Sequence, residues 1–252
     1  MKVTFLGTAG LVPGGLGLTV TGKRGQNCMM IDDDYLIETG DGALRNINAY
    51  GVDLNKIKKI LISHLHSDHI IGIVHIIFDM MNVRERKEPL EIVGPPGVEK
   101  TVRGMMSLTE LPCADDAKRG FALVFRELGA AEKFDDVETA KGEHPSEAHA
   151  YKITRGGRSV FYNGESSFTK EVLDLARGAD FFICTIPVLE NHSFHIDPKM
   201  CGQAATDSGV TRVAAIHWPT QFEENREALA DMVRKYFDGE VLIPDDFTVV
   251  NV

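Results

Sequence analysis

The run Ser63-His64-Leu65-His66-Ser67-Asp68-His69 follows directly on the apolar stretch Ile60-Leu61-Ile62. That stretch reads as a buried strand, so the chain must fold with a strand that ends by delivering three imidazoles and a carboxylate. Residues two apart on extended chain point to the same side, which lets His64 and His66 converge on one ion. Asp68 and His69 enter the following turn and can face a second. Neutral imidazole with carboxylate suits zinc first, with manganese or iron as alternatives. A chance cluster of polar loop residues is the competing reading, and composition alone produces the pattern in roughly one chain in a thousand.

With 252 residues, 43% of them apolar, the chain can bury a sizeable core. It has no linker or low-complexity tract, so residues 1–252 read as one domain of the α/β class. No stretch is apolar and long enough to span a bilayer, and Met1 runs straight into Lys-Val-Thr-Phe-Leu-Gly without a charged leader, which predicts a cytoplasmic protein. Cys28, Cys113, Cys184 and Cys201 form no CxxC pair and read as reduced, partly buried thiols. The net charge of -10 disfavours a large nucleic acid, whose phosphates are held by Lys and Arg, while metals and a local patch can still hold a small anion.

Short apolar strands alternate with helical stretches. Strands are expected at Val3–Leu6, Cys28–Ile31, Tyr35–Ile37, Ile60–Ser63, Leu90–Val93, Ala122–Leu128 and Val137–Ala140. Tyr151–Ile153 and Ser159–Tyr162 form a hairpin across Gly156-Gly157, and Phe181–Thr185, Val213–Ile216, Val241–Ile243 and Thr248–Val250 follow. Helices are expected at Ala43–Tyr50 before a Gly51 cap, His69 to about Met81, Val98–Leu108, Thr169–Ala176, Pro198–Asp207 behind an Asp197 cap, and Glu223–Phe237. This interleaving predicts two packed sheets flanked by helices. The Ile- and Met-rich stretches 70–82 and 105–111 read first as core, then as a substrate pocket or a homodimer face. His75, on an apolar helix face, is placed in the core.

Other polar groups arrive at strand ends, where short loops make rigid platforms for ligands. His144 follows the strand Val137–Ala140, Glu165 follows Ser159–Tyr162 in Asn-Gly-Glu-Ser, and His217 ends Val213–Ile216. Each alone reads as a satisfied loop residue. With the first motif they complete two adjacent coordination shells. The glycine-rich stretch Gly7–Gly17 lacks the spacing and the Lys-Ser/Thr of a phosphate-cradling loop and reads as a loop near the site mouth.

Taken together, His64-Leu-His66-Ser-Asp68-His69, His144, Gly164-Glu165-Ser166 and His217, in that order, resemble the metallo-β-lactamase fold superfamily and, within it, the ribonuclease Z-like branch of phosphodiesterases. The opening Phe5-Leu6-Gly7-Thr8, Gly94-Pro95 and the helix near Ala204-Ala205 extend the resemblance over nearly the whole chain. It implies a four-layer αββα sandwich with the site at one edge of the two sheets. It further implies that His64, His66 and His144 hold one divalent ion, that Asp68, His69 and His217 hold the other, and that an acidic residue bridges them. Glu165 stands at that bridge where the family pattern has Asp, and Glu38 stands before Gly40 where the pattern has Asp; the two exchanges are expected to compensate.

The same resemblance makes His195 the general acid, with His192 as the second candidate. The supporting Glu of the branch is absent, since Thr185 stands on the preceding strand, and Glu190 is the substitute available from the loop. His149 reads as a site-edge or structural residue. Two ions at such a site lower the pKa of a shared water toward about 7, giving hydroxide, and clamp the oxygens of an ester, with Asp68 orienting the nucleophile or ligating. The implied activity is metal-dependent hydrolysis of a small or cyclic phosphodiester. Only residues 145–164 separate His144 from Glu165, which leaves no room there for the arm of the tRNA-processing members. Hydrolysis of an arylsulfate, thioester or lactone on the same metals is the alternative, and a non-catalytic metal-binding or sensing protein is the third reading.

Overall fold

Strands buried on both faces need cover on both sides, and the chain supplies it by stacking two sheets between helices. The computed structural model describes residues 1–10, 23–190 and 192–252. The first sheet contains β1 (Lys2–Gly7), β2 (Cys28–Ile31), β3 (Tyr35–Ile37), β4 (Lys59–Leu61), β5 (Leu90–Gly94) and β6 (Leu123–Glu127). The second contains β7 (Ala131–Phe134), β8 (Val137–Gly142), β9 (Ala148–Arg155), β10 (Arg158–Tyr162), β11 (Phe181–Thr185), β12 (Arg212–Ile216) and β13 (Glu240–Leu242). A last strand, β14 (Val249–Asn251), returns to pair with β1, so the orders are β14-β1-β2-β3-β4-β5-β6 and β13-β12-β11-β10-β9-β8-β7. Strands β3 to β6 run parallel, as do β10 to β13.

The two-residue periodicity of the strands sorts their side chains into three cores. Phe5, Leu61, Tyr162 and Ile183 meet between the sheets. Ile60, Ile62 and Ile92 face outward onto α1 (Ala43–Tyr50), α3 (Ile73–Asn82) and α4 (Val98–Leu108), through Ile47, Ile77 and Val102. Phe182, Cys184 and Val213 face α6 (Lys170–Ala176), α7 (Pro198–Asp207) and α8 (Arg226–Arg234), through Val172, Ala205 and Val233. Among the described residues the two remaining helices are single turns, α2 (Ser67–Ile70) and α5 (Asp116–Arg119). The result is the expected four-layer αββα sandwich.

Several expectations at element level are corrected. The helix expected from His69 to about Met81 is two helices, α2 and α3, because Gly72 is pressed against the first sheet. Its amide donates to Thr39 O at 2.8 Å, and a Cβ there would lie 2.6 Å from Gly40 O. On α3 the apolar face covers Ile73, Ile76, Ile77 and Met80, and His75 is exposed beside it, so it is not a core residue. The helix expected over Glu223–Phe237 begins only at Arg226, where Asn225 caps it, after a 3-10 turn at Thr220–Phe222. Strand β7, Ala-Glu-Lys-Phe, was not expected, since only Phe134 of it is buried. The Gly156-Gly157 hairpin is present, with positive φ at both glycines (57° and 76°), as a two-residue turn of this hand requires. Of the glycine-rich stretch Gly7–Gly17, residues 11–17 lie outside the described residues.

Two cations tie the sheets together near the starts of the parallel strands. Arg155 on β9 pairs with Asp136, with Asp34 at 2.6 Å and with Asp32 at 3.1 Å, its guanidinium 4.0 Å above the Tyr35 ring. Lys59 on β4 reaches Glu91 and, at 2.9 Å, Asp135 of the β7–β8 turn. Arg155→Ala strands three carboxylates at one seam. It is expected to cost about 2 kcal/mol, read as a lower midpoint of chemical denaturation without change in slope.

Candidate metal centre

The ends of β4, β8, β10 and β12 converge on one edge of the sandwich and carry polar side chains there. After β4, the Ser63 amide donates to both oxygens of the Glu38 carboxylate at 3.2 Å, which fixes the turn into His64. Ser63 Oγ lies 3.0 Å from His64 Nδ1, so Nε2 is the atom that faces inward. Beyond β8, His144 contacts Ser146 Oγ through Nδ1 at 3.1 Å, again leaving Nε2. His66 is exposed, and the cleft opens there.

The histidines that are two apart do converge. Donor atoms of His64, His66 and His144 lie within 4.8 Å of one another, with ring centroids 4.6 to 4.8 Å apart. His64 Nε2 and His144 Nε2 are buried and have no hydrogen-bond partner. Two buried, unpartnered imidazole nitrogens turned toward each other beside a third imidazole are costly unless a cation satisfies them, so this tripod fits a divalent ion.

Asp68, His69, Glu165 and His217 form a second buried group within 4.8 Å. Asp68 Oδ2 lies 3.0 Å from His217 Nε2, and Glu165 Oε2 lies 2.8 Å from His69 Nε2, 3.3 Å from His217 Nε2 and 3.5 Å from His64 Nε2. One carboxylate oxygen thus touches histidines of both groups, which is the position of a bridge. Behind His69, Glu38 Oε1 stands 3.4 Å from Nδ1. Glu38, Glu165 and His217 have positive φ of 60°, 67° and 58°, so three non-glycine residues hold left-handed backbone at one site.

The loops that present these groups are pinned. Gly164 (φ 64°) passes so close to β9 that a Cβ would meet His149 O at 2.1 Å, and Asn163 Oδ1 accepts from the Thr185 amide at 2.9 Å. His217 donates its amide to Thr8 O, and Trp218 after it lies beneath Arg24, which bonds Glu223 Oε1 at 2.6 Å. Gly10 lies flat on the His217 ring: a Cβ there would fall 2.0 Å from Nε2. From sequence, Ser63 stands at the head of the histidine motif, Gly10 in a loop near the site mouth and Asn163 before Gly164, but none of them is assigned its contact at the site.

The remaining histidines are now placed. His195, ahead of α7, is buried, with Nδ1 3.4 Å from Glu165 Oε1, and it groups with His144 and Glu165. His192 is exposed, its ring tilted against that of His195 at 4.7 Å. Glu190 is exposed; the carboxylate that reaches His195 is that of Glu165. His149 is fully buried on β9, its amide bonded to Ser63 O, which makes it a brace behind the His64 turn. All four cysteines are free and buried.

Electrostatics divide the site. Burial chiefly, aided by neighbouring imidazoles, holds His64 well below the ordinary value and brings His144 down to about 4, so these two imidazoles are neutral. Burial also opposes charge on His69 and His217, but Asp68, Glu165 and Glu38 more than offset it. His69 is held well above the ordinary value and His217 is raised to about 9. Burial likewise opposes charge on Asp68 and Glu165, and their histidine partners hold both well below the usual carboxylate range. Without metal, then, the second group is a lattice of carboxylates and imidazolium. A cation entering it must displace protons, so affinity rises with pH up to about 9 and falls in acid. At least one proton per chain is expected to be released on zinc binding at pH 7, read by calorimetry in buffers of differing ionisation enthalpy. The sign for folding follows: the His217 contribution to metal-free stability is full below 6.5 and is lost as pH rises through about 9.

A αββα sandwich carrying His/Asp/Glu clusters suited to a binuclear metal site at its edge defines the metal-dependent hydrolases of the metallo-β-lactamase fold. The chain belongs to that superfamily: residues 35–218 match the model of the beta-lactamase superfamily domain. Ribonuclease Z of Halorubrum lacusprofundi is 24% identical over 310 aligned positions, covering 100% of this chain and 97% of the relative. Human tRNase Z, short form, superposes with a TM-score of 0.77 at 21% identity, covering 100% of this chain and 99% of its own. A diphosphatase of the PhnP family superposes at 0.70 and 14% identity, covering 100% and 97%. An acidic net charge therefore does not set nucleic acid aside, because full-length relatives of this chain are ribonucleases by name. Among the described residues no helix is long and apolar enough to cross a membrane.

Proposed function

We propose that the chain is a phosphodiesterase that hydrolyses a small or cyclic phosphodiester with two divalent ions, zinc by the preference of its donors. The observation that carries this reading is the single Glu165 oxygen within 3.5 Å of histidines from both groups. His64, His66 and His144 would hold one ion and Asp68, His69 and His217 the other, with Glu165 between them. Bound in these two groups, the ions would supply a water of pKa near about 7 and polarisation of a phosphoryl oxygen.

The chain's own residues do the rest. Asp68 sits beside His217 where its carboxylate can accept a proton from the attacking water and orient it. His195 sits across from it, against Glu165 and 5.4 Å from the His144 ring, in place to protonate the leaving oxygen. The small-substrate assignment rests on the segment between His144 and Glu165, which is spanned by the β9–β10 hairpin with no inserted arm. The 310 positions aligned to the Halorubrum lacusprofundi relative exceed this chain's 252, so that relative carries segments the chain lacks.

The test is hydrolysis of bis-p-nitrophenyl phosphate, of a cyclic nucleotide and of a 3'-extended tRNA by the zinc-loaded protein, with and without chelator. Chelator-sensitive cleavage of the small diesters at a kcat/KM above that for the tRNA supports the reading. Preference for the tRNA replaces it with an RNA-processing activity, the reading that the full-length likeness to ribonuclease Z favours. Turnover of p-nitrophenyl sulfate or a lactone alone would move the assignment to another ester class.

A further inference from the structure

The Glu165 carboxylate is divided between two tasks. Oε2 faces the histidines of the metal groups, at 2.8 Å from His69 and 3.3 Å from His217. Oε1 stands 3.4 Å from His195 Nδ1. That nitrogen is buried and makes no hydrogen bond in this geometry, so the Glu165 oxygen is the acceptor within reach of it, whereas Nε2 is not among the enclosed, unpartnered atoms. We propose that Glu165 is the residue that orients His195: its Oε1 holds the Nδ1–H form of the ring and turns Nε2 toward the cleft.

The surroundings support this division. No other carboxylate lies within 4 Å of His195 among the described residues. Thr185, the nearest candidate position on β11, carries no acid and is spent on Asn163, whose Oδ1 accepts from its amide at 2.9 Å and whose Nδ2 lies 3.2 Å from its Oγ1. Asn163 in turn opens the turn that presents Glu165, with Ser166 Oγ bonded back to Asn163 O at 2.8 Å. The side chain at 185 therefore helps aim the carboxylate. An aspartate at 165, shorter by a methylene, would withdraw both oxygens and could not span from His69 to His195. A contact of 3.4 Å is long for a hydrogen bond, and such contacts tighten when substrate closes the site.

The inference rests on the phosphodiesterase reading only where turnover is measured. In hydrolysis the oxygen of the attacking water forms a new P–O bond and gives its proton to Asp68, the P–O bond to the leaving group breaks with its electron pair on the leaving oxygen, and that oxygen takes the Nε2 proton of a His195 imidazolium, which is left in the neutral Nδ1–H form facing Glu165. A substrate whose leaving group needs no proton is indifferent to this arrangement. Zinc-loaded wild type, His195→Ala, Glu165→Asp and the double variant are compared on p-nitrophenyl and phenyl esters of the same phosphodiester, with metal content measured for each. His195→Ala is expected to raise the ratio of p-nitrophenyl to phenyl kcat/KM at least tenfold. Glu165→Asp, compared with wild type at equal metal occupancy, is expected to raise it comparably, and the double variant to go no further than the larger single effect. An unchanged ratio in metal-loaded Glu165→Asp, or additive effects, overturns the proposal.

A second measurement needs neither metal nor substrate. Nitrogen–proton correlation spectra of the metal-free protein, at a pH where His195 is neutral, are expected to place its proton on Nδ1 in wild type and to show mixed tautomers in Glu165→Gln. An Nε2–H form in wild type, or no change on substitution, overturns the proposal. Because this readout is independent of the substrate, a protein that cleaves no diester would refute the functional reading without touching it.

Discussion

Glu165→Ala is expected to lose its metal and its activity together, with kcat/KM for a diester falling at least about a thousandfold, or about 4 kcal/mol of transition-state stabilisation. Loss of a residue that merely supports a ligand costs roughly 10- to 100-fold in metal affinity, and a shared ligand should cost more. The same change also tests the metal-free state. His69 and His217 are held charged by Asp68, Glu38 and Glu165, and removing Glu165 leaves two buried imidazolium groups short of a counter-charge. Uncompensated buried charge costs about 3–5 kcal/mol. The metal-free variant should therefore be less stable than wild type at pH 7, and the gap should narrow toward pH 9 as His217 gives up its proton. Thermal unfolding at the two pH values checks this, and an equal gap at both would contradict the charge balance drawn for the site.

Gly10→Ala is expected to have the second largest effect, through packing alone. A Cβ 2.0 Å from His217 Nε2 is far inside van der Waals contact, so either the ring or the Thr8–Gly10 segment must move by more than about 1 Å. The ring cannot yield easily, since the His217 amide is bonded to Thr8 O and Trp218 is fixed under Arg24. Misplacement by about 1 Å costs a catalytic site on the order of a hundredfold in rate. The variant should keep the ion at His64, His66 and His144 and lose the one that depends on His217, giving one ion per chain. Retention of two ions with normal turnover would show that His217 is not positioned as described.

What could be foreseen from the chain and what could not divides along physical lines. The central strands of the two sheets were legible because their residues are buried on both faces, so Cys28–Ile31, Tyr35–Ile37 and Phe181–Thr185 stand as expected. Strand β7 was not, since an edge strand with one buried residue has no apolar pattern to read. His75 was misplaced because an apolar helix face has a margin, and only the seat of Gly72 on Thr39 and Gly40 sets where that margin falls. The histidine pairing in the 64–69 motif followed from local geometry. The contact of Glu165 with His195 joins the end of β10 to the loop before α7, and the press of Gly10 on His217 joins two ends of the chain; neither leaves a local signature. Net charge does not decide the substrate, because it sums over the surface, whereas the surface at the site decides what enters.

The central claim is a two-ion site bridged by Glu165, and metal stoichiometry tests it most directly. Purified protein is stripped with chelator, dialysed against zinc, and its bound metal determined by elemental analysis beside Glu165→Ala. The account predicts two ions per chain in wild type and at most one in the variant. One ion or none in wild type, or two in the variant, would contradict it.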